Sequence, residues 1–437
     1  MSQRKRYAIV GTGGRCVLFI DAICDAFKEH AELVAFCDVS PTRMAHHNRR
    51  IKERYNHEPV VTYVADDFDR MVAETKPDVV IVTTMDSLHH KYIIRAMELG
   101  CDAISEKPMT TDADKAKAIF DAIERTGRKL RVTFNYRYTP HATKFRELVR
   151  DGLIGKPQAV DFSWVLDTRH GADYFHRWHA QMQNSGGLLV HKSTHHFDLI
   201  NWWIQGRPKT VYAMGDLKFY GRKNAAARGE SYTYDRYTGH PEAEGDPFAL
   251  FLDRDENAKS LYLDAEKDSG YIRDRNVFGD HINIYDTMAV LVNYDNGVIL
   301  NYSLQAYSPW EGFRAAITGD KGRIELFDSH GSHIITGQDD KELAAAQHEN
   351  QKQELVYYPM FGKPEIIEVQ KAEGGHGGGD PIMLEQIFAP NPPEDPFHRA
   401  ASHIDGATSI LCGVCANQSI ATGSPVYCDQ VLPLPGC

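Results

Sequence analysis

From Tyr7 to Phe134, apolar runs of four to six residues alternate with amphipathic stretches. That alternation commits the first third of the chain to βαβ units around a parallel sheet. The runs predict strands at Tyr7 to Val10, Leu33 to Asp38, Val60 to Tyr63, Val79 to Thr83, Asp102 to Ser105 and Lys129 to Phe134, with helices near 17–29, 42–55, 68–75, 88–99 and 111–126. Six strands with intervening helices make a doubly wound α/β domain, whose ligand crevice lies at the carboxyl ends of the strands. With 437 residues the chain is too long for that domain alone, so a second core follows.

The first strand runs into Gly11-Thr12-Gly13-Gly14-Arg15-Cys16. Gly11 permits a tight turn, and Gly13 lets backbone amides approach a pyrophosphate at a helix N-terminus. A glycine motif alone is weak, but here a strand precedes it, a helix follows it, and Asp38 ends the second strand, placed to accept ribose hydroxyls. That context is the Rossmann dinucleotide signature. Cys16 replaces the third glycine, which widens helix packing without removing a phosphate donor. Asp38 repels a 2′-phosphate and favours NAD, while Ser40 and Arg43 keep NADP open as an alternative.

Composition narrows the remaining classes. Hydrophobic residues at 42% and charged residues at 25% are globular proportions, and no apolar run approaches membrane-spanning length. A net charge of -11, with no basic stretch beyond Arg4-Lys5-Arg6, argues against nucleic acid as a partner. The apolar run Tyr7-Ala8-Ile9-Val10 leaves no room for a signal peptide, which predicts a soluble cytoplasmic protein. Cys412-Gly-Val-Cys415 has redox or zinc spacing, yet it sits in an Ala-rich helical stretch without a second pair, so packed thiols are expected.

Further motifs follow in order: Thr83-Thr84-Met85-Asp86-Ser87-Leu88-His89 after the fourth strand, Ser105-Glu106-Lys107-Pro108 after the fifth, then Asn135-Tyr136-Arg137-Tyr138-Thr139-Pro140 and Gly152-Leu153-Ile154-Gly155. Together with the glycine loop they resemble the Gfo/Idh/MocA oxidoreductase family. The resemblance implies a Rossmann domain over residues 1–137 and a substrate-binding and oligomerisation α+β domain over 138–437. It also implies a cofactor site lined by Gly11, Thr12, Gly13, Gly14, Arg15, Asp38, Arg43, Thr83, Thr84, His89, Glu106, Lys107 and Asn135. Lys107 would orient a hydroxyl or carbonyl oxygen at the nicotinamide, and an ammonium beside a developing alkoxide lowers the barrier to removing its proton.

In the second domain longer alternating strands are predicted at Gln158 to Asp167, Thr287 to Tyr294, Val298 to Tyr307, Arg314 to Thr318 and Arg323 to Phe327, forming a mostly antiparallel sheet. In this family its open face makes a homodimer or homotetramer contact. Residues 220–285 read as an insertion able to roof the active site, and a closing helix is expected near 400–422. The stretch Gly186-Gly187-Leu188-Leu189-Val190-His191-Lys192-Ser193-Thr194-His195-His196-Phe197-Asp198 places His191, His195 and Asp198 along one side of a helix, with Lys192 and His196 turned about 100° away. The family has Asp where this chain has His191, and its His falls on His195, which the resemblance makes the general base with Lys107 and His191 as its catalytic companions.

The spacing of His191 and His195 also suits a metal, with His179 or His376 as further ligands, but no metal is expected. Arg169 to His179 mixes polar groups with rings as a carbohydrate site would. His170, Arg177, Trp178 and His179 are therefore candidate substrate contacts, joined by His376 in the loop Gly374 to Asp380. The expected activity is hydride transfer between NAD and a secondary hydroxyl of a sugar, glycoside or polyol. The alternatives are a redox-neutral NAD-dependent glycoside hydrolase of the same broad family and a non-catalytic NAD-binding protein.

Overall fold

The computed structural model describes residues 4–332, 352–370 and 377–435. The chain divides into two compact units, one of Met1–Tyr138, Leu252–Arg273 and Glu373–Ala407, the other of Thr139–Phe251, Asp274–Ala372 and Thr408–Cys437.

The first unit is built on β1 (Lys5–Val10), β2 (Ala31–Asp38), β3 (Val61–Val64), β4 (Val79–Val82), β5 (Asp102–Ser105) and β6 (Leu130–Val132). They pair in parallel in the order β6-β5-β4-β1-β2-β3. All four residues of β4 are buried, as a strand covered on both faces requires. The helix Pro41–Tyr55 starts where Ser40 accepts the Arg43 amide and Pro41 occupies the first turn, and it stops at Asn56 in the left-handed region. Asp112 and Gly127 bound Ala113–Thr126 in the same way.

The helix expected over 17–29 is shorter. A 3-10 turn at Gly14–Cys16 leads into Val17–Asp21, and Ala22–Ala26 forms a π turn in which the Phe27 amide donates to the Ala22 carbonyl at 2.8 Å. This sets the Phe27 ring 5.8 Å from that of Phe388, which also meets Tyr7 edge-on at 5.0 Å. Phe388 thus belongs to the same core as Ile9, Phe19 and Phe36. The short strand Ala401–Ser402, which periodicity did not reveal, adds antiparallel to β6 at the sheet edge.

The second unit carries β7 (Pro157–Asp167), β8 (Pro208–Asp216), β9 (Thr287–Tyr294), β10 (Ile299–Ser308), β11 (Trp310–Gly319), β12 (Gly322–Ser332), β13 (Lys352–Pro359) and β14 (Glu365–Ile366). Their order is β14-β13-β12-β11-β7-β10-β9-β8, with Val426–Tyr427 beyond β8. Among the described strands of this sheet, only the β7–β10 pairing is parallel. Burial alternates along β9 and β10, so one face packs into the core and the other does not. Among the described residues no helix is long and apolar enough to cross a membrane.

Candidate active site

In the first unit the glycine loop is fixed by its neighbours. Gly11 has φ +88°, and a Cβ there would lie 2.6 Å from the Thr83 and Thr84 backbone, so a side chain fails on both counts. The Thr83 hydroxyl donates to the Gly11 carbonyl at 2.5 Å. Nothing lies within 4 Å of where a Gly13 Cβ would sit, so the loop stays open on that side. The Asp38 carboxylate accepts the Thr12 amide at 2.5 Å and the Ser40 amide at 2.8 Å, tying loop to strand end. Beneath the loop, Cys16 donates to the Gly13 carbonyl at 3.0 Å and His47 Nε2 lies 3.0 Å from the Thr12 carbonyl. Burial, reinforced by His46, pushes the His47 pKa down to about 4.

Two more expected cofactor residues form a pair. Arg15 Nε donates to Glu106 Oε1 at 2.7 Å, while Glu106 Oε2 accepts the Lys107 amide at 3.3 Å. Buried His89 spans two loops, with Nδ1 2.8 Å from the Pro108 carbonyl and Nε2 3.1 Å from that of Thr84. Asn135 donates to Asp380 Oδ1 at 2.7 Å. The Asn135 Oδ1 and Thr12 Oγ1 atoms are buried without a hydrogen-bond partner. A dinucleotide fits this setting: open space over Gly13 for a pyrophosphate, and buried polar atoms left for a ligand to satisfy.

The second unit gathers most of the expected substrate residues. Trp178 stacks on His179 with centroids 3.5 Å apart, and His179 meets His191 at 4.2 Å. Tyr174 touches His170, His179 and His191 with centroids at 5.4, 5.8 and 5.5 Å. Arg177 is engaged locally, donating to the Asp173 carbonyl and ion-paired with its carboxylate. His376 lies outside the described residues.

The histidine stretch is two helices, Leu188–His191 and Ser193–Ile204, joined through a turn at Lys192 whose carbonyl accepts the His195 amide at 3.3 Å. A single helical stripe is therefore corrected to a broken one. His195 and Asp198 are buried on the second piece, and His196 is in the core, stacked at 4.3 Å on Trp164 and bonded to the Tyr302 hydroxyl at 2.8 Å. Behind the break, Gly413 approaches so closely that a Cβ would lie 2.2 Å from the Leu189 carbonyl. The Cys412 to Cys415 motif thus serves packing, and its thiols are buried and free.

Sequence reasoning missed the charges beneath this cluster. Lys192, 4% exposed, lies 4.6 Å from the Trp164 ring centroid. Glu311, 6% exposed, receives His170 Nδ1 at 2.8 Å and faces His330 Nδ1 at 3.6 Å. Burial alone would raise the Glu311 carboxyl, but His170, His330 and Lys192 outweigh it and hold it well below the usual carboxylate range. Burial lowers the Lys192 pKa against the opposing pull of Glu311. The available signal was Lys192 as the one cation between Gly186 and Asp198, and Glu311 near the start of a strand whose other charge, Arg314, is exposed.

Known proteins agree with this organisation. Residues 5–134 match the oxidoreductase family, NAD-binding Rossmann fold, and residues 146–427 its C-terminal alpha/beta domain. YteT of Bacillus subtilis is 35% identical over 436 residues, covering 95% of this chain and 96% of that protein. D-glucoside 3-dehydrogenase of Escherichia coli is 29% identical over 151 residues, 35% of this chain and 40% of the relative. Among solved structures, the WlbA dehydrogenase of Chromobacterium violaceum with NADH and UDP-GlcNAcA superposes with a TM-score of 0.63 at 17% identity, covering 98% of this chain and 97% of that one. With both halves matched in order and one relative spanning nearly its full length, the chain belongs to the Gfo/Idh/MocA oxidoreductase family and carries its NAD(P)-binding Rossmann domain.

Proposed function

We propose that this protein is an NAD-dependent oxidoreductase acting on a secondary hydroxyl of a sugar, glycoside or polyol. The observation that carries this reading is the cluster of Trp178, His179, His191, Tyr174 and His170, joined to the buried Glu311 through His170. Rings suit the apolar faces of a saccharide, and the convergent imidazoles and phenol suit its hydroxyls. The D-glucoside 3-dehydrogenase relative supports the same substrate class.

Bound NAD would supply a hydride acceptor. In the protein, Lys107 orients the hydroxyl oxygen and lowers the cost of negative charge on it. His195 takes the proton, and His191 tunes its basicity, standing where the family has a carboxylate. Asn135 Oδ1 is an acceptor for the carboxamide end of the cofactor. Exposed Met214, Leu291 and Ile299 share one face of the second sheet by register, which supports self-association there.

The test is a screen of mono- and disaccharides and polyols with NAD and NADP, following both reduced coenzyme and released sugar. Substrate-dependent NADH formation is expected. No signal from any saccharide or polyol would end the carbohydrate assignment. The rival reading is the redox-neutral NAD-dependent glycoside hydrolase of the same broad family. Sugar release without net NADH would favour it.

A further inference from the structure

Residues Leu252–Arg273 lie in the part of the sequence read as an insertion, yet they pack within the nucleotide-binding unit. The segment is a chain of short turns and helices, LDRDENAKSLYLDAEKDSGYIR, too polar to form a core and rich in groups that hydrogen-bond. It is anchored at several points. The Gly14 amide donates to the Tyr262 hydroxyl at 3.0 Å, Arg43 Nε to the Leu261 carbonyl at 3.3 Å, and Arg49 to the Ser260 hydroxyl at 2.8 Å. The Arg43 guanidinium lies 5.9 and 5.5 Å from the ring centroids of Tyr262 and Tyr271. The strap therefore runs from the pyrophosphate turn to the end of β2.

The end of β2 is where a Rossmann unit tells NAD from NADP. An adenosine 2′-phosphate needs donors there, and this chain offers the Ser40 hydroxyl, the first amides of the 15-residue helix Pro41–Tyr55, and Arg43. Asp268 of the strap has taken two of them, the Ser40 hydroxyl and the Thr42 amide. One of its carboxylate oxygens, Oδ2, accepts the Ser40 hydroxyl at 2.6 Å and the Thr42 amide at 3.0 Å. Arg43 turns its Nε to the strap carbonyl, is 4.0 Å from Asp38, and keeps a buried Nη2 with no hydrogen-bond partner. A carboxylate is thus held, by a segment distant in sequence, on two of the donors that a phosphate would use.

We infer that Asp268 is a specificity-determining residue, an internal anion that occupies the 2′-phosphate position and restricts the site to NAD. Asp38 excludes the phosphate from the ribose side and Asp268 from the helix side, so discrimination has two independent sources. The Asp268 carboxyl is itself held low, because the bonds from Ser40 and Thr42 overcome the opposing effect of burial. The inference rests on the coenzyme reading above but makes no use of the substrate, so it is tested without one.

The full-length protein is titrated with NADH and with NADPH, following energy transfer from protein to nicotinamide, and with calorimetry as a second readout. The wild type is expected to prefer NADH by about tenfold or more, the scale of a like-charge clash. Asp268→Ala should shrink that preference by about tenfold, chiefly through tighter NADPH. Asp268→Asn keeps the side-chain shape and an acceptor for Ser40 while removing the charge, so it should move the ratio in the same direction even if the strap of the alanine variant loosens. An unchanged ratio in the folded asparagine variant, or equal binding of the two coenzymes by the wild type, would overturn the inference and leave the coenzyme assignment standing. Binding of neither coenzyme by the wild type would overturn both.

Discussion

Each unit buries a carboxylate, and the two do so in opposite ways. Glu106 is met by Arg15 Nε at 2.7 Å, and the arginine side chain remains 35% exposed, so water still shares its charge. Arginine does not titrate at any ordinary pH, which makes this pair a fixed brace between the glycine loop and the Lys107 turn. Glu311 instead faces Lys192 and two imidazoles, among rings, with both members of the pair more than nine-tenths buried. Desolvating two charges costs several kcal/mol, and apolar replacements often fold as well. Titratable partners where a brace would have sufficed are in keeping with the proton transfer proposed for this unit.

The contrast is sharpened most by His195, the proposed general base, which is buried in the same unit as Glu311. His195→Asn should lower kcat by about 10²–10⁴-fold with NADH binding retained; stopped-flow turnover and coenzyme titration check both halves. Comparable activity in the variant would remove proton transfer from the second unit and with it the contrast. Next is Glu311→Ala, which removes the buried carboxylate that His170, His330 and Lys192 hold ionised and should cost about 3–5 kcal/mol of stability in chemical denaturation.

A third test uses His47 under the glycine loop, whose folded pKa of about 4 lies below the ordinary 6.5. The unfolded chain binds more protons between those values, so stability rises with pH across that window and falls on acidification. Denaturation at pH 7.5 and pH 5 should differ by about 2 kcal/mol from this group, and His47→Gln should flatten the difference. Smallest is Glu106→Gln, expected to cost about 1 kcal/mol because Arg15 turns to solvent. A cost matching that of Glu311→Ala would erase the distinction between brace and proton site.

Much of this was readable beforehand, for identifiable reasons. The parallel strands were legible because burial on both faces writes itself as unbroken apolar runs, as in Val79–Val82. Gly11 and Asp38 were legible because their roles are local. Asp268 was not, since its partners Ser40 and Thr42 are more than 200 positions away and nothing in its own neighbourhood marks it. Lys192 lies off the helical stripe, so periodicity does not mark it, and its place over the Trp164 ring depends on a strand residue 28 positions earlier. Ala401–Ser402 escaped notice because two residues carry no period.

That last strand and Phe388 have a consequence for how the protein is made. The nucleotide-binding unit is not finished until residue 407 has left the ribosome, about 270 residues after Tyr138. At ~5–20 residues per second, the β6 edge and the gap awaiting Phe388 stay uncovered for roughly 13 to 54 seconds of synthesis. The cofactor domain begins the chain but is completed almost last, and through that interval its open edge is available to chaperones and to other nascent chains.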